Sequence, residues 1–209
     1  MTNIIKNFQF QKQLLWFNGA LPAILLLLDW KFKKLGANPP EALIRSSGVL
    51  AIFFLSLSLT ANPLAKLLGW NWIMKHRRWL GLWSFYYACL HLMAYSIFDR
   101  GLNFSEIVKD IQKRPFILLG FSGFLLLVPL AITSRNKAIQ KMGAKKWKLL
   151  HKLSYLIAVL VSIHYWLIVK SDLFYPIIFA GLFILLLSYR LKDFVLSIVG
   201  RFRSTHSQS

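Results

Sequence analysis

Six stretches of the chain are apolar over about the 20 residues that a helix needs to cross a hydrocarbon core. They run near Phe10 to Leu28, Arg45 to Ala61, Trp79 to Phe98, Phe116 to Ile132, Leu149 to Val169 and Leu173 to Tyr189. In lipid a backbone must satisfy its own hydrogen bonds, so each run predicts a helix. The expected fold is an all-α integral membrane protein, a bundle of six transmembrane helices. The first run follows Lys6 and Lys12 and has the outline of a signal peptide. It ends in Asp29-Trp30-Lys31 rather than a small-x-small cleavage site, and reads as a retained helix. Asn38-Pro39-Pro40 reads as a loop, and Lys170-Ser171-Asp172 is short enough to make the fifth and sixth helices a tight antiparallel hairpin. No repeat or low-complexity linker divides the sequence, which reads as a single domain over residues 1–209.

Composition agrees: 56% of residues are apolar and 15% aromatic, with eight Trp. Charge adds orientation. Twenty-six Lys and Arg stand against seven Asp and Glu, a formal net charge of +19. In a soluble protein that excess would suggest nucleic acid. Here the basic residues lie between apolar runs, where they orient the chain and meet anionic lipid headgroups, so no nucleic-acid partner is needed. With a cytoplasmic N-terminus, the cytoplasmic segments hold 17 of the 26 basic residues and only Asp193 among the acids. The other side holds nine basic residues and six acids. The positive-inside rule therefore puts both termini in the cytoplasm. The single cysteine, Cys89, excludes an intrachain disulfide and a cysteine-held iron–sulfur cluster, and reads as a packing residue.

Three histidines, His91, His151 and His164, fall inside these runs. An ionisable side chain at membrane depth costs at least a few kcal/mol, so it normally faces the bundle interior and carries a function. Imidazole is a common axial ligand of haem iron, which makes a membrane haem protein the leading idea. At 1.5 Å per residue, His91 lies roughly 10 Å from the outer end of the third helix and His164 roughly 8 Å from that of the fifth. The two are level, and His151 lies about 20 Å further in. Two haem levels would make an electron path across the bilayer, with His91 and His164 clamping the outer one and His151 serving the inner. Periodicity alone does not prove this, because His151 and His164 are roughly 140° apart around an ideal helix. Trp79, Trp83, Trp147, Tyr165 and Trp166 read as belt and packing residues.

The segments Arg77-Arg78-Trp79-Leu80-Gly81-Leu82, Tyr86-Tyr87-Ala88 with His91, Leu130-Ala131-Ile132-Thr133-Ser134, and Trp147-Lys148-Leu149-Leu150-His151-Lys152-Leu153-Ser154-Tyr155 with His164 resemble the MsrQ (YedZ) family, part of the ferric-reductase-like transmembrane group. The resemblance covers nearly the whole chain. It implies a multi-pass haem b subunit of the bacterial inner membrane, holding one or two haems, that passes electrons to a periplasmic molybdopterin enzyme, MsrP, which reduces methionine sulfoxide in oxidised proteins. Some family members are described as binding FMN. The wider group carries two histidines on each of the third and fifth helices, 13 or 14 residues apart, clamping two haems. Here the position 14 before His91 is Arg77. The inner level thus keeps His151 without its opposite ligand. His76 is adjacent and reads as a solvated interfacial residue, while Arg77 and Arg78 are candidates for pairing with haem propionates or a flavin phosphate as well as ordinary anchors. His206 lies in a polar tail and is not expected to be a ligand.

No G-x-G-x-x-G occurs and no nucleotide-binding domain is expected after Tyr189, so electrons are expected from a quinol or a separate cytoplasmic flavin reductase. No carboxylate dyad or nucleophile–base pair is visible, so the substrate chemistry is expected on the partner. The rival class is a metal-ion or proton-coupled transporter using the same histidines. Against it stand the lack of a deep Asp or Glu, of Met or Cys clusters and of inverted repeats. A purely structural anchor for another subunit is a third possibility.

Overall fold

The computed structural model describes residues 8–169 and 171–206. Lys6 and Lys170, both counted in the charge asymmetry, lie outside them. Among the described residues nine α-helices follow in order: α1 (Phe8–Lys31), α2 (Pro39–Leu68), α3 (Arg77–Ala94), α4 (Phe104–Lys113), α5 (Pro115–Ile132), α6 (Asn136–Met142), α7 (Ala144–Leu150), α8 (Leu153–Ile168) and α9 (Phe174–His206). Five segments are long and apolar enough to cross a membrane: α1, α2, α5, α7 with α8, and Phe174–Lys192 of α9. The sixth predicted span, α3, falls short of that criterion by composition. It carries Arg77, Arg78 and His91 and several Trp and Tyr residues, and it packs along α2.

The expected loop at Asn38-Pro39-Pro40 is instead the start of α2. Both prolines occupy the first turn, where a missing N–H costs nothing. The Asn38 side-chain oxygen Oδ1 accepts the Glu41 backbone N–H at 3.4 Å, and its side-chain Nδ2 donates to the Glu41 carboxylate at 3.0 Å. Gly69, at φ +69°, closes the same helix in the left-handed conformation. A second departure is α4, an amphipathic helix inside what reads as an outer loop. Asn103 caps it by accepting the Glu106 N–H at 3.3 Å, and a π-helical turn at Tyr95–Asp99 leads into it.

α2 is the central helix. Ile52, Leu55 and Leu59 on one side of it pack with Leu127 and Leu130 of α5, Ile157 and Ala158 of α8 and Phe179, Phe183 and Leu186 of α9. On another side Phe54 packs with Leu80, Trp83 and Tyr87 of α3 and Ala23 of α1. α1 is tied in by the fully buried Tyr87, whose hydroxyl donates to the Gly19 carbonyl at 2.6 Å and accepts the Ala23 N–H at 3.2 Å. These are the two groups that an undisturbed helix would pair with each other. The hydroxyl is inserted into the α1 ladder beside Pro22, satisfying both groups where lipid offers no water.

The span that carries both His151 and His164, Ala144–Ile168, is tightened in its middle, where His151 and Lys152 keep right-handed helical dihedrals. α7 ends at Leu150, His151 and Lys152 form a tight turn, and α8 begins at Leu153. The tightened turn locally alters the angular offset worked out for an ideal helix.

Candidate functional site

A cavity of about 480 Å³ opens between α2, α3, α5 and α8, toward the end of the bundle that holds α4. Its walls are mainly apolar, from Val49, Ile52 and Leu55 of α2 to Phe124 and Leu127 of α5, and its volume is that of an ordinary small-molecule or cofactor site. His91 and His164 project into it from α3 and α8, with ring centres 6.2 Å apart and planes at 86°.

Each ring is held in the same way by a different neighbouring helix. His91 Nδ1 is 2.8 Å from the Ile44 carbonyl on α2, and His164 Nδ1 is 2.6 Å from the Phe116 carbonyl on α5. Four residues beyond each carbonyl stands a glycine, Gly48 or Gly120, where the ring lies directly on the helix backbone. A Cβ at Gly48 would sit 2.9 Å from His91 Nδ1, and one at Gly120 would sit 2.5 Å from His164 Cε1. Any side chain there would bar the imidazole from the carbonyl one turn back. A carbonyl can only accept, so Nδ1 carries the proton in both rings and Nε2 keeps its lone pair. That tautomer, with the second nitrogen donating to a carbonyl, is the arrangement found behind metal-ligating histidines.

The site fits haem iron on three counts. Two imidazoles that coordinate one ion from opposite sides, each at an ordinary metal–nitrogen distance of about 2 Å, have ring centres roughly 6 Å apart. Among the described residues no group of three or more His, Cys, Asp or Glu is placed to hold a metal ion, so an ion between these rings needs ligands that arrive with it. The surrounding cavity is wide and apolar, as a macrocycle supplying those ligands requires.

His151 does not line this cavity. It stands in the turn between α7 and α8, with the Trp147 ring 4.0 Å away and Nε2 3.3 Å from the Thr133 hydroxyl. Thr133 is held in turn: its hydroxyl donates to the Pro129 carbonyl at 2.6 Å, and its own carbonyl accepts the Trp147 indole N–H at 3.0 Å. Trp147, expected as a belt residue, is thus part of the His151 environment, and Tyr165 lines the cavity wall rather than a belt. No second imidazole faces His151 among the described residues. His76, expected to be solvated, is buried at 3% exposure, donating from Nε2 to the Gln11 amide oxygen at 2.9 Å and stacked on Phe8. Burial, and after it the charge of Lys75, holds the His76 imidazole below its ordinary pKa of 6.5.

Arg77 and Arg78 begin α3, roughly 20 Å from His91 along the helix. Arg78 donates to Asn136 at 2.7 Å and lies over the Trp79 ring, and its Nε is buried without a partner. These arginines serve the end of the bundle that holds α6, not the cavity of His91 and His164. What the sequence pattern did not single out is the pair Gly48 and Gly120, although a small residue inside an apolar helix is a known sign of close approach.

The family described as Ferric reductase like transmembrane component matches residues 47–162. The chain is 44% identical over 181 residues to the protein-methionine-sulfoxide reductase heme-binding subunit MsrQ of Herminiimonas arsenicoxydans, covering 86% of this chain and 83% of that protein. It is 46% identical over 174 residues to the MsrQ subunit of Rhodospirillum rubrum, covering 81% and 84%. It also matches the magnetosome protein MamZ of Magnetospirillum gryphiswaldense, at 40% identity over 185 residues, but only 28% of that longer protein.

Proposed function

The chain belongs to the MsrQ family of heme-binding subunits within the ferric-reductase-like transmembrane proteins, and from that premise we propose that it is a b-type cytochrome of the bacterial inner membrane. It carries electrons from a quinol or a cytoplasmic flavin reductase to a periplasmic molybdopterin methionine sulfoxide reductase of the MsrP kind. All of residues 1–209 form one ferric-reductase-like transmembrane domain. α3 is its sixth span, both termini are cytoplasmic, and the α4 end is periplasmic.

The observation that carries this reading is the pair of imidazoles with Nδ1 pinned to helix carbonyls and Nε2 free at one apolar cavity. His91 and His164 are the axial ligands in this reading. Haem bound between them supplies a one-electron iron couple. The chain's part is to fix both rings, keep the proton on Nδ1, and exclude water with the apolar walls.

The inner level, with His151, Arg77 and Arg78, takes a second group, either haem or FMN. An unpartnered buried guanidinium nitrogen on Arg78 suits an anionic group there. Reduced-minus-oxidised spectra of the purified protein test the reading. Low-spin b-type haem is expected, and it is expected to be lost from folded His91→Ala and His164→Ala proteins. Its absence from the wild type, or its survival unchanged in both variants, would refute the assignment, and metal or proton transport would then be the class to pursue.

A further inference from the structure

Among the described residues, Arg45 is the one lysine or arginine lining the cavity of His91 and His164. It follows Ile44, whose carbonyl holds His91, and it stands one turn from Gly48, where α2 and the imidazole touch. It is exposed, and among the described residues it makes no hydrogen bond or ion pair. The neighbouring cations are otherwise engaged. Arg100 pairs with Asp110 at 2.6 Å and with Asp99 at 3.0 Å, Arg114 with Asp110 at 3.4 Å, and Lys109 with Glu106 at 2.9 Å. Glu41, the one acid in the lining, is tied to the Asn38 amide.

A free cation at the mouth of an apolar cavity predicts where the acidic edge of its occupant lies, because a carboxylate pushed among the apolar walls would be left unpaired. Resting on the haem reading above, we propose that Arg45 binds the carboxylates of the tetrapyrrole, so that the propionate edge faces outward at the α4 end, between α2 and α8. Arg45 is then a cofactor-binding residue, and Arg77 and Arg78 have no part in this site. Arg45 also borders a second cavity of about 490 Å³, where Asp29 and Asp172 stand. Pairing with those acids is the competing role.

The test separates the two roles by removing the carboxylates from the ligand instead of the charge from the protein. Full-length apoprotein in detergent is titrated with haem b and with its dimethyl ester, and binding is followed by the low-spin spectrum. Loss of a charge-assisted pair predicts about ten- to a hundred-fold weaker haem b binding in Arg45→Gln. The ester is expected to bind wild type and variant alike, which also reports that the variant is folded. Arg45→Lys is expected to recover part of the haem b affinity, and the midpoint potential of bound haem b is expected to fall in Arg45→Gln with the loss of a positive charge. Equal weakening of haem b and ester would overturn the proposal in favour of the Asp29 and Asp172 role, and unchanged haem b binding would overturn it outright. A wild type that gives no low-spin spectrum with either ligand would instead remove the haem reading on which it rests.

Discussion

Replacing Gly120 by alanine perturbs the site through a single methyl group. The new Cβ would lie 2.5 Å from His164 Cε1 and 2.6 Å from Nδ1, against an ordinary contact of 3.4 Å or more. One of the two must move by roughly 1 Å, and the Cβ is fixed to a helix backbone, so the ring moves. A displacement of that size breaks the 2.6 Å bond to the Phe116 carbonyl, the group that sets the tautomer and the ring plane. Overpacking of this kind costs about 1–3 kcal/mol and the lost hydrogen bond roughly 1 kcal/mol more. Disturbing the partner of a metal-ligating histidine lowers affinity about 10- to 100-fold. At Gly48 the approach is less severe, 2.9 Å to His91 Nδ1, so Gly48→Ala is expected to do less. Gly81→Ala on α3 serves as the control, since its Cβ meets only Ser58 Oγ at an ordinary 3.5 Å. Haem titration with low-spin absorbance, on protein shown monodisperse by gel filtration, is expected to rank the losses Gly120→Ala, then Gly48→Ala, then Gly81→Ala. An unchanged affinity in Gly120→Ala, or the greatest loss in the control, would refute the claim that these glycines admit the imidazoles to the carbonyls.

Three other outcomes follow from the same geometry. Tyr87→Phe removes the hydroxyl inserted between Gly19 and Ala23 and is expected to lower stability in a denaturing-detergent titration by about 1 kcal/mol while leaving the haem spectrum intact; a loss of haem would mean that α1 also supports the cavity. His151→Ala is expected to keep the low-spin spectrum and complete reduction by dithionite but to be reduced more slowly by the physiological donor, and a haem loss equal to that of His91→Ala would place both histidines in one site. Reporter fusions after Arg203 and within residues 138–146 are expected to read cytoplasmic and those within 101–109 periplasmic, as the distribution of basic residues requires; a periplasmic C-terminus would invert the proposed electron path.

Five of the six spans and the pairing of His91 with His164 were legible because both depend on lengths: an apolar run must match the bilayer, and rise per residue converts position along a helix into distance. What escaped depends on contacts between distant helices. Gly48 and Gly120 matter only because His91 and His164 land on them, 43 and 44 positions further along the sequence. Arg45 is counted as one more basic residue near a helix end until the cavity behind it is seen. α4 was missed for a different reason, since Phe104, Ile107, Val108 and Ile111 do recur at helical spacing. The segment is too short and too charged to register as a span, and Asp110 is buried only because Arg100, Arg114 and the Tyr95 hydroxyl meet it.

The two ends of the bundle are built to different specifications, and the difference suits transfer in one direction. Toward α4, two imidazoles are each fixed by a backbone carbonyl, a group that neither titrates nor rotates away while its helix stands. In the proposed haem site, their hold on the iron would be insensitive to side-chain rearrangement, as a permanent cofactor needs. Toward α6, His151 depends on a hydroxyl at 3.3 Å and an indole ring, in a turn between two helices, and no second imidazole faces it among the described residues. Side-chain partners in a turn can rearrange at small cost. A site of that kind suits a group that changes charge as it accepts electrons, whereas the rigid pair at the other end holds its group in one geometry. In the proposed function, electron uptake is placed at His151 and delivery at the cavity of His91 and His164, beneath α4, where Ile107 and Ile111 contribute to the walls.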